Sequence, residues 1–361
     1  MVRLENFWQD KTVFVTGHTG FKGSWLCLWL ELLGAKVFGY SLSVPTEPNL
    51  FELVKGDRLT STIADVCNLE QLTQAIQAAQ PEIVIHMAAQ SLVRESYKNP
   101  VTTYATNIMG TVNVLEAVRQ VGHVKAVIIV TSDKCYENQE WLWGYRESEP
   151  MGGYDPYSSS KGCAELVTAA YRNSFFNPST YTQHGVGVAS VRAGNVIGGG
   201  DWASDRLIPD IVKAWHNDQK VVIRYPQAIR PWQHVLEPLS GYLSLAVNLY
   251  EDGVKYGGAW NFGSNDYDAK PVGWIVAEMA RLWGDRADWI QEIQNQPHEA
   301  HYLKLDCAKA KHYLNWQPKL DVTTALSWVV DWAKAWKAAA NMREFTTNQI
   351  IEFMKISRQQ V

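Results

Sequence analysis

Two residues four apart, Tyr157 and Lys161 in Tyr157-Ser158-Ser159-Ser160-Lys161, give the first chemical signal in this chain. On a helix that spacing puts both side chains on one face, one turn apart. A free phenol ionises near ~10 and is a poor base at neutral pH. A cation beside it favours the phenolate, and each unit of lowered pKa corresponds to about 1.4 kcal/mol of differential stabilisation. Such a phenolate can take the proton of a hydroxyl group while hydride leaves the same carbon. The pair also arises on ordinary helix surfaces, so it needs company. Thr131-Ser132-Asp133-Lys134 provides it: a hydroxyl, an acid and a second amine directly after an apolar run. Functional groups gather at such strand ends.

Hydride chemistry needs an acceptor, and the N-terminal region has a place for one. Gly17, Gly20 and Gly23 follow the apolar run Thr12-Val13-Phe14-Val15-Thr16 and open a helical pattern. Glycines there permit a tight turn and close approach of backbone to a pyrophosphate, and the helix N-terminus adds free N–H groups and a positive dipole. A glycine triplet alone is a weak sign, and its position between strand and helix strengthens it. The second strand ends in Gly39-Tyr40-Ser41-Leu42. It has neither the acid that commonly binds a ribose 2′-OH nor an Arg for a 2′-phosphate.

The elements that must position these groups alternate. Phe21, Trp25, Leu28 and Leu32 predict a helix with one apolar face, Leu69, Leu72, Ile76 and Ala79 a second, and Ala105, Ile108, Val112, Leu115 and Val118 a third. Residues 36–40, 83–87, 126–131 and 186–192 read as strands. Strands alternating with helices predict an α/β, Rossmann-like, doubly wound parallel sheet, with ligands at the carboxyl ends of its strands. After about residue 190 the pattern loosens into a smaller mixed C-terminal lobe. We expect residues 1–190, with a returning segment around 232–265, to bind the cofactor. Residues 191–231 and 266–340 should form the substrate-binding lobe, and 341–361 a C-terminal helix. Trp328, Trp332 and Trp336 stripe a helix as core.

Composition excludes several classes. The 361 residues are 46% hydrophobic, enough for a sizeable core, and the net charge of -4 carries no basic stripe for nucleic acid. Five Cys without a CxxC pair indicate neither a disulfide framework nor a zinc ribbon. The charged N-terminus is no signal peptide and no apolar run spans a bilayer, so the expectation is a cytoplasmic protein with no membrane or nucleic-acid partner. Pro297-His298-Glu299-Ala300-His301 lacks the H-E-x-x-H spacing and is expected to hold no metal.

The G-x-x-G-x-x-G spacing, Asp65-Val66, His86-Met87-Ala88-Ala89-Gln90 and Tyr157-x-x-x-Lys161 together resemble the extended short-chain dehydrogenase/reductase family. Asp133 followed by Lys134 resembles the CDP-glucose branch of its nucleotide-sugar 4,6-dehydratases. So does Arg206-Leu207-Ile208-Pro209-Asp210, while Arg230-Pro231-Trp232-Gln233-His234 resembles the family segment whose Arg clamps the nucleotide diphosphate. The resemblance runs from Lys11 to about Met354. It implies NAD held by Gly17, Thr19, Gly20, Phe21, Lys22, Gly23, Asp65, Val66, Met87, Ala88, Ala89 and Thr106, together with Tyr157 and Lys161. It implies a sugar nucleotide, CDP-glucose or another, bound by Ser91, Arg94, Asn195, Arg206 and Arg230. Ser132 would hydrogen-bond the reacting hydroxyl, Asp133 would be the acid at C6, and Lys134 the base at C5 or a stabiliser of the enolate. A Lys base must lose much of its usual pKa of ~10.4, and burial beside Lys161 would push it down. The resemblance also implies a homodimer or larger homo-oligomer built on two helices per subunit. An epimerase or reductase would share Tyr157, Lys161 and the glycine turn but has no use for Asp133-Lys134. A non-catalytic dinucleotide-binding protein has no use for an intact Ser132, Tyr157 and Lys161 set.

Overall fold

The structure is a computed structural model, and it describes residues 6–284, 287–291 and 302–359. The segment around His298 and His301 lies outside the described residues. Seven strands form the central sheet: β1 (Thr12–Thr16), β2 (Lys36–Ser41), β3 (Leu59–Ile63), β4 (Ile83–His86), β5 (Ala126–Val130), β6 (Gly187–Arg192) and β7 (Gly258–Asn261). All pair in parallel, in the order β7-β6-β5-β4-β1-β2-β3. The middle strands are buried on both faces, which is why β4 and β5 are continuous apolar runs. The order reverses between β1 and β4, and their carboxyl ends splay the crevice that such sheets use for ligands.

Helices α1 (Phe21–Leu32), α2 (Leu69–Ala79), α3 (Gly110–Val121) and α4 (Pro156–Ser174) cross between these strands. The predicted single apolar face of α1 is a correction: the helix is buried on nearly every side, and only Leu32 is exposed. The sheet covers one flank. Another is covered by α9 (Met342–Gln359), whose Phe353 ring meets Trp29 edge-on at 5.7 Å and whose Arg343 pairs with Glu31 at 2.8 Å. The predicted stripe from Ala105 to Val118 is also corrected. Residues Ala105–Met109 form a π-type turn before α3 begins. That wider turn rotates the chain, so Val114, Leu115, Ala117 and Val118 are buried while Met109 is half exposed.

Beyond β6 the chain builds a second core from α5 (Leu207–His216), α7 (Val272–Trp283) and α8 (Val322–Lys337), centred on Ile211, Trp215, Ile275, Met279, Leu326 and Val329. Short strand pairs tie it together: Val221–Ile223 with Trp289–Gln291, and Ile229–Pro231 with Ala269–Pro271. Helix α6 (Leu236–Glu251) packs against the central sheet between the two. Trp332 on α8 is almost fully buried, as its stripe predicts.

Candidate active site

A cleft of about 1670 Å³ opens above the β1/β4 crevice and runs to the second core, and every site residue named from the sequence lines it. Its floor is fixed by one buried hydroxyl. The Thr16 oxygen accepts the N–H groups of Met87 and Ala88 at 3.1 and 3.2 Å and shares a hydrogen bond with His86 Nδ1 at 2.7 Å. Burial drives His86 down to about 3, so the ring is neutral. Gly17 lies in the left-handed region at φ 78, and a Cβ there would sit 2.6 Å from the Ala88 nitrogen. Only glycine lets the turn pass this close to β4.

The next turn has room. A Cβ on Gly20 would meet only the Gly17 oxygen, at 3.4 Å. Gly20 also leads α1 with no side-chain cap, so the first N–H groups of the helix face the cleft. Those donors, with the helix dipole, suit a pyrophosphate. At the end of β2, Thr19 and Ser41 exchange a hydroxyl contact at 2.8 Å, and the cleft wall from Ser41 to Thr46 holds no cation for a 2′-phosphate. The Asp65-Val66 corner is tied down by Asn113, which donates to the Val66 and Cys67 carbonyls at 2.9 and 3.0 Å. Thr106 lines the same end from the π-type turn. These residues fit a non-phosphorylated dinucleotide.

Tyr157 owes its position to a strong helix start. Asp155 caps α4 through the Ser158 N–H at 3.0 Å, Pro156 occupies the first turn, and Tyr157 follows at once. The Ser132 hydroxyl shares a hydrogen bond with the Tyr157 phenol. Burial pushes Tyr157 up to about 12, against the pull of Ser132 and Arg206. Lys161 spends its ammonium on the Val130 carbonyl at 3.2 Å, and burial with Lys22 nearby brings it down to about 8.

Ser132 also donates to Asp133 Oδ1 at 3.0 Å and accepts the Lys134 N–H at 3.2 Å. Asp133 is nearly inaccessible and rests on the backbone of Gly194. Lys22 reaches in from the glycine turn. Burial and Arg206 bring it down to about 8, with Asp133 and Asp201 opposing. Arg206 pairs with Asp201 at 3.0 Å and donates to Ser91 at 2.8 Å, while Arg94 meets Asp205 at 3.2 Å. Arg230 donates to its neighbour Ile229 at 2.9 Å, and Asn195 sits in the left-handed region at φ 47. The cleft thus gathers a phenol with an amine one helical turn on, a carboxylate beside a second amine, and several guanidinium groups.

Some supporting residues escaped the sequence reading. Asn107, in the π-type turn, donates to the Gln90 carbonyl and to Ser160, and accepts the Gln90 N–H. It therefore joins the β4 segment to the helix of Tyr157. No periodicity reveals a π-type turn, although such turns are common at functional sites. Glu165 and Arg192 form a fully buried ion pair at 2.9 Å. Burial would raise the carboxyl, but Arg192, Ser190 and Thr131 hold it below its usual range.

Comparison with known proteins gives a consistent picture. Residues 14–327 match the family model described as GDP-mannose 4,6 dehydratase. A CDP-glucose 4,6-dehydratase from Salmonella typhimurium is 60% identical over 351 residues, covering 97% of this chain and 98% of that protein. An epimerase from Methanothermobacter thermautotrophicus superposes with a TM-score of 0.80 at 22% identity, over 95% of this chain and 97% of its own. A dTDP-glucose 4,6-dehydratase from Bacillus anthracis, solved with NAD, superposes with a TM-score of 0.74 at 22% identity, over 92% of this chain and 99% of its own. The last two establish the shared fold.

Proposed function

The chain belongs to the GDP-mannose 4,6-dehydratase family, and on that premise we propose that it converts CDP-glucose to CDP-4-keto-6-deoxyglucose and water. It is an NAD-dependent hydro-lyase. The observation that carries the reading is the sequential Ser132-Asp133-Lys134 set facing Tyr157 across one cleft. Oxidation of C4 to a ketone acidifies the C5 proton, and loss of the C6 hydroxyl then needs a base and an acid side by side. The glycine turn, Asp65-Val66 and the Met87-Ala88-Ala89 segment would hold NAD, which would supply the hydride acceptor for C4 and the hydride donor for C6. Tyr157 takes the proton of the C4 hydroxyl, steadied by Ser132. Lys134 removes the C5 proton and returns it to C5 once hydride has reached C6. Asp133 protonates the departing C6 oxygen, which leaves as water. Ser91, Arg94, Asn195, Arg206 and Arg230 bind the nucleotide diphosphate and sugar, exploiting the planar fork of Arg. Residues 1–190 with 232–265 carry the cofactor in this scheme, and 191–231 with 266–340 the sugar nucleotide.

Purified protein, catalytic NAD and a panel of CDP-, UDP-, dTDP- and GDP-sugars test this. Mass spectrometry is expected to find CDP-glucose, and no other sugar, short by one water with no net reduced cofactor. Isomerisation or stoichiometric cofactor consumption instead would transfer the chain to the epimerase or reductase class.

No described helix is long and apolar enough to cross a membrane. Cytoplasmic residence, without nucleic-acid partners, fits the cofactor and substrate. The exposed apolar side chains Val101, Met109 and Leu166 lie on helical segments packed side by side, which suits a homodimer joined through these helices. Light scattering is expected to give twice the chain mass, and Leu166→Glu to shift it toward monomer. An unchanged mass in that variant places the contact elsewhere.

A further inference from the structure

Asp133 and Lys134 sit on a weak element. Asp133–Cys135 is a single three-residue helical turn whose own backbone bonds, Cys135 to Ser132 and Tyr136 to Asp133, are long at 3.2 and 3.4 Å. Such short turns hold their geometry poorly without outside support. The support is a buried chain of side chains beneath the cleft. Glu165 Oε1 accepts the Thr131 hydroxyl at 2.5 Å, just before the turn. Glu165 Oε2 accepts Arg192 Nη2 at 2.9 Å, and Arg192 Nη1 donates to the Tyr136 hydroxyl at 2.6 Å, just after it. Tyr136 donates onward to Asn261 Oδ1 at 2.8 Å, and the guanidinium lies 4.8 Å from the Tyr136 ring centre. One carboxylate therefore grips both ends of the turn. Glu165 is also one helical turn past Lys161 on α4. The clamp joins the elimination pair to the helix that carries the oxidation pair.

A fully buried ion pair is a poor source of stability, because desolvation offsets its attraction. Its value here is geometric. We propose that Tyr136, acting through Arg192 and Glu165, is a positioning residue that sets the Asp133-Lys134 turn for elimination and leaves hydride removal at C4 to Tyr157. The proposal rests on the dehydratase reading above.

Tyr136→Phe removes one hydroxyl and keeps the ring in its stack on Tyr145, at 5.1 Å, and against Arg192. With CDP-glucose and NAD, the variant is expected to lose about tenfold or more in kcat, as misplacing groups that transfer protons does. KM should stay within a few-fold. Reduced nicotinamide, read by its near-ultraviolet absorbance during turnover, should rise well above the wild-type level, because C4 is oxidised and the next step stalls. Ser190→Ala is the control: it deletes a 2.6 Å hydrogen bond to the same Glu165 oxygen from β6, without touching the turn. It should lower the melting temperature and leave the reduced-nicotinamide level as in wild type. An unchanged kcat in Tyr136→Phe overturns the proposal. So does a slow variant with no excess reduced nicotinamide, or a Ser190→Ala variant with the same excess. Failure of the wild-type chain to dehydrate any sugar would instead sink the dehydratase reading itself.

Discussion

A Gly194→Ala variant is expected to keep the oxidation half of the reaction and lose the dehydration half. The added methyl carbon would lie 1.7 Å from Asp133 Oδ2 and 2.2 Å from its Cγ, far inside contact distance. The backbone at Gly194 cannot retreat easily, because Gln233 donates to its carbonyl at 3.1 Å and to the Phe262 carbonyl at 2.9 Å. The carboxylate must turn away, and in doing so it gives up the Ser132 hydroxyl at 3.0 Å. Removing a positioned proton donor costs about 10²- to 10⁴-fold. We therefore expect kcat for water loss to fall by at least about a hundredfold, while mixing with CDP-glucose still produces reduced nicotinamide. Asp133→Asn, which keeps the shape and removes the transferable proton, should behave alike. A Gly194→Ala enzyme with wild-type turnover would show that Asp133 is not held where elimination needs it.

That prediction turns on a contact no sequence pattern announces. Asp133 and Gly194 meet because β5 and β6 are neighbours in the sheet, so the groups after their carboxyl ends converge. The sequence does show each strand, the glycine turn and the Tyr157-Lys161 spacing, since all of these are local: a periodicity, a cap, a run of small residues. Asp155-Pro156 before Tyr157 is a local helix start of the same kind. What escapes is the relation between distant segments. Glu165 and Arg192 are 27 residues apart, Arg192 and Tyr136 are 56 apart, and nothing in either neighbourhood marks them as partners. Leu32, which is exposed, and Ala105, Ile108 and Val112, which are only half-buried, fall short of the predicted core for a related reason. Amphipathic spacing assumes one buried face and an unbroken 3.6-residue period. α1 is enclosed on several sides, and the segment before α3 has a wider turn. Burial, which no sequence displays, pushes Tyr157 up to about 12.

Tyr157→Phe is expected to fail one step earlier than Gly194→Ala, and the difference assigns the two halves of the site. The substitution removes only the phenol oxygen. Ser132 keeps its contacts to Asp133 and Lys134, and the Asp155 cap keeps α4 in place. Nucleotide binding through the Arg groups is untouched, so KM should hold. The C4 hydroxyl then has no acceptor for its proton, and kcat should fall by about 10²- to 10⁴-fold. No reduced nicotinamide should form on mixing, in contrast to Gly194→Ala. The wild-type enzyme should also show an alkaline limb. Lys161 is brought down to about 8 by burial and Lys22, with Glu165 and Cys135 opposing. Its positive charge is present below that pH and lost above it. A phenol pushed up to about 12 needs nearby cations, that of Lys161 among them, to give up its proton. Turnover should thus decline as pH rises through about 8. Reduced nicotinamide appearing in Tyr157→Phe at the wild-type rate would remove Tyr157 from the oxidation step and leave Lys161 or Ser132 to serve it.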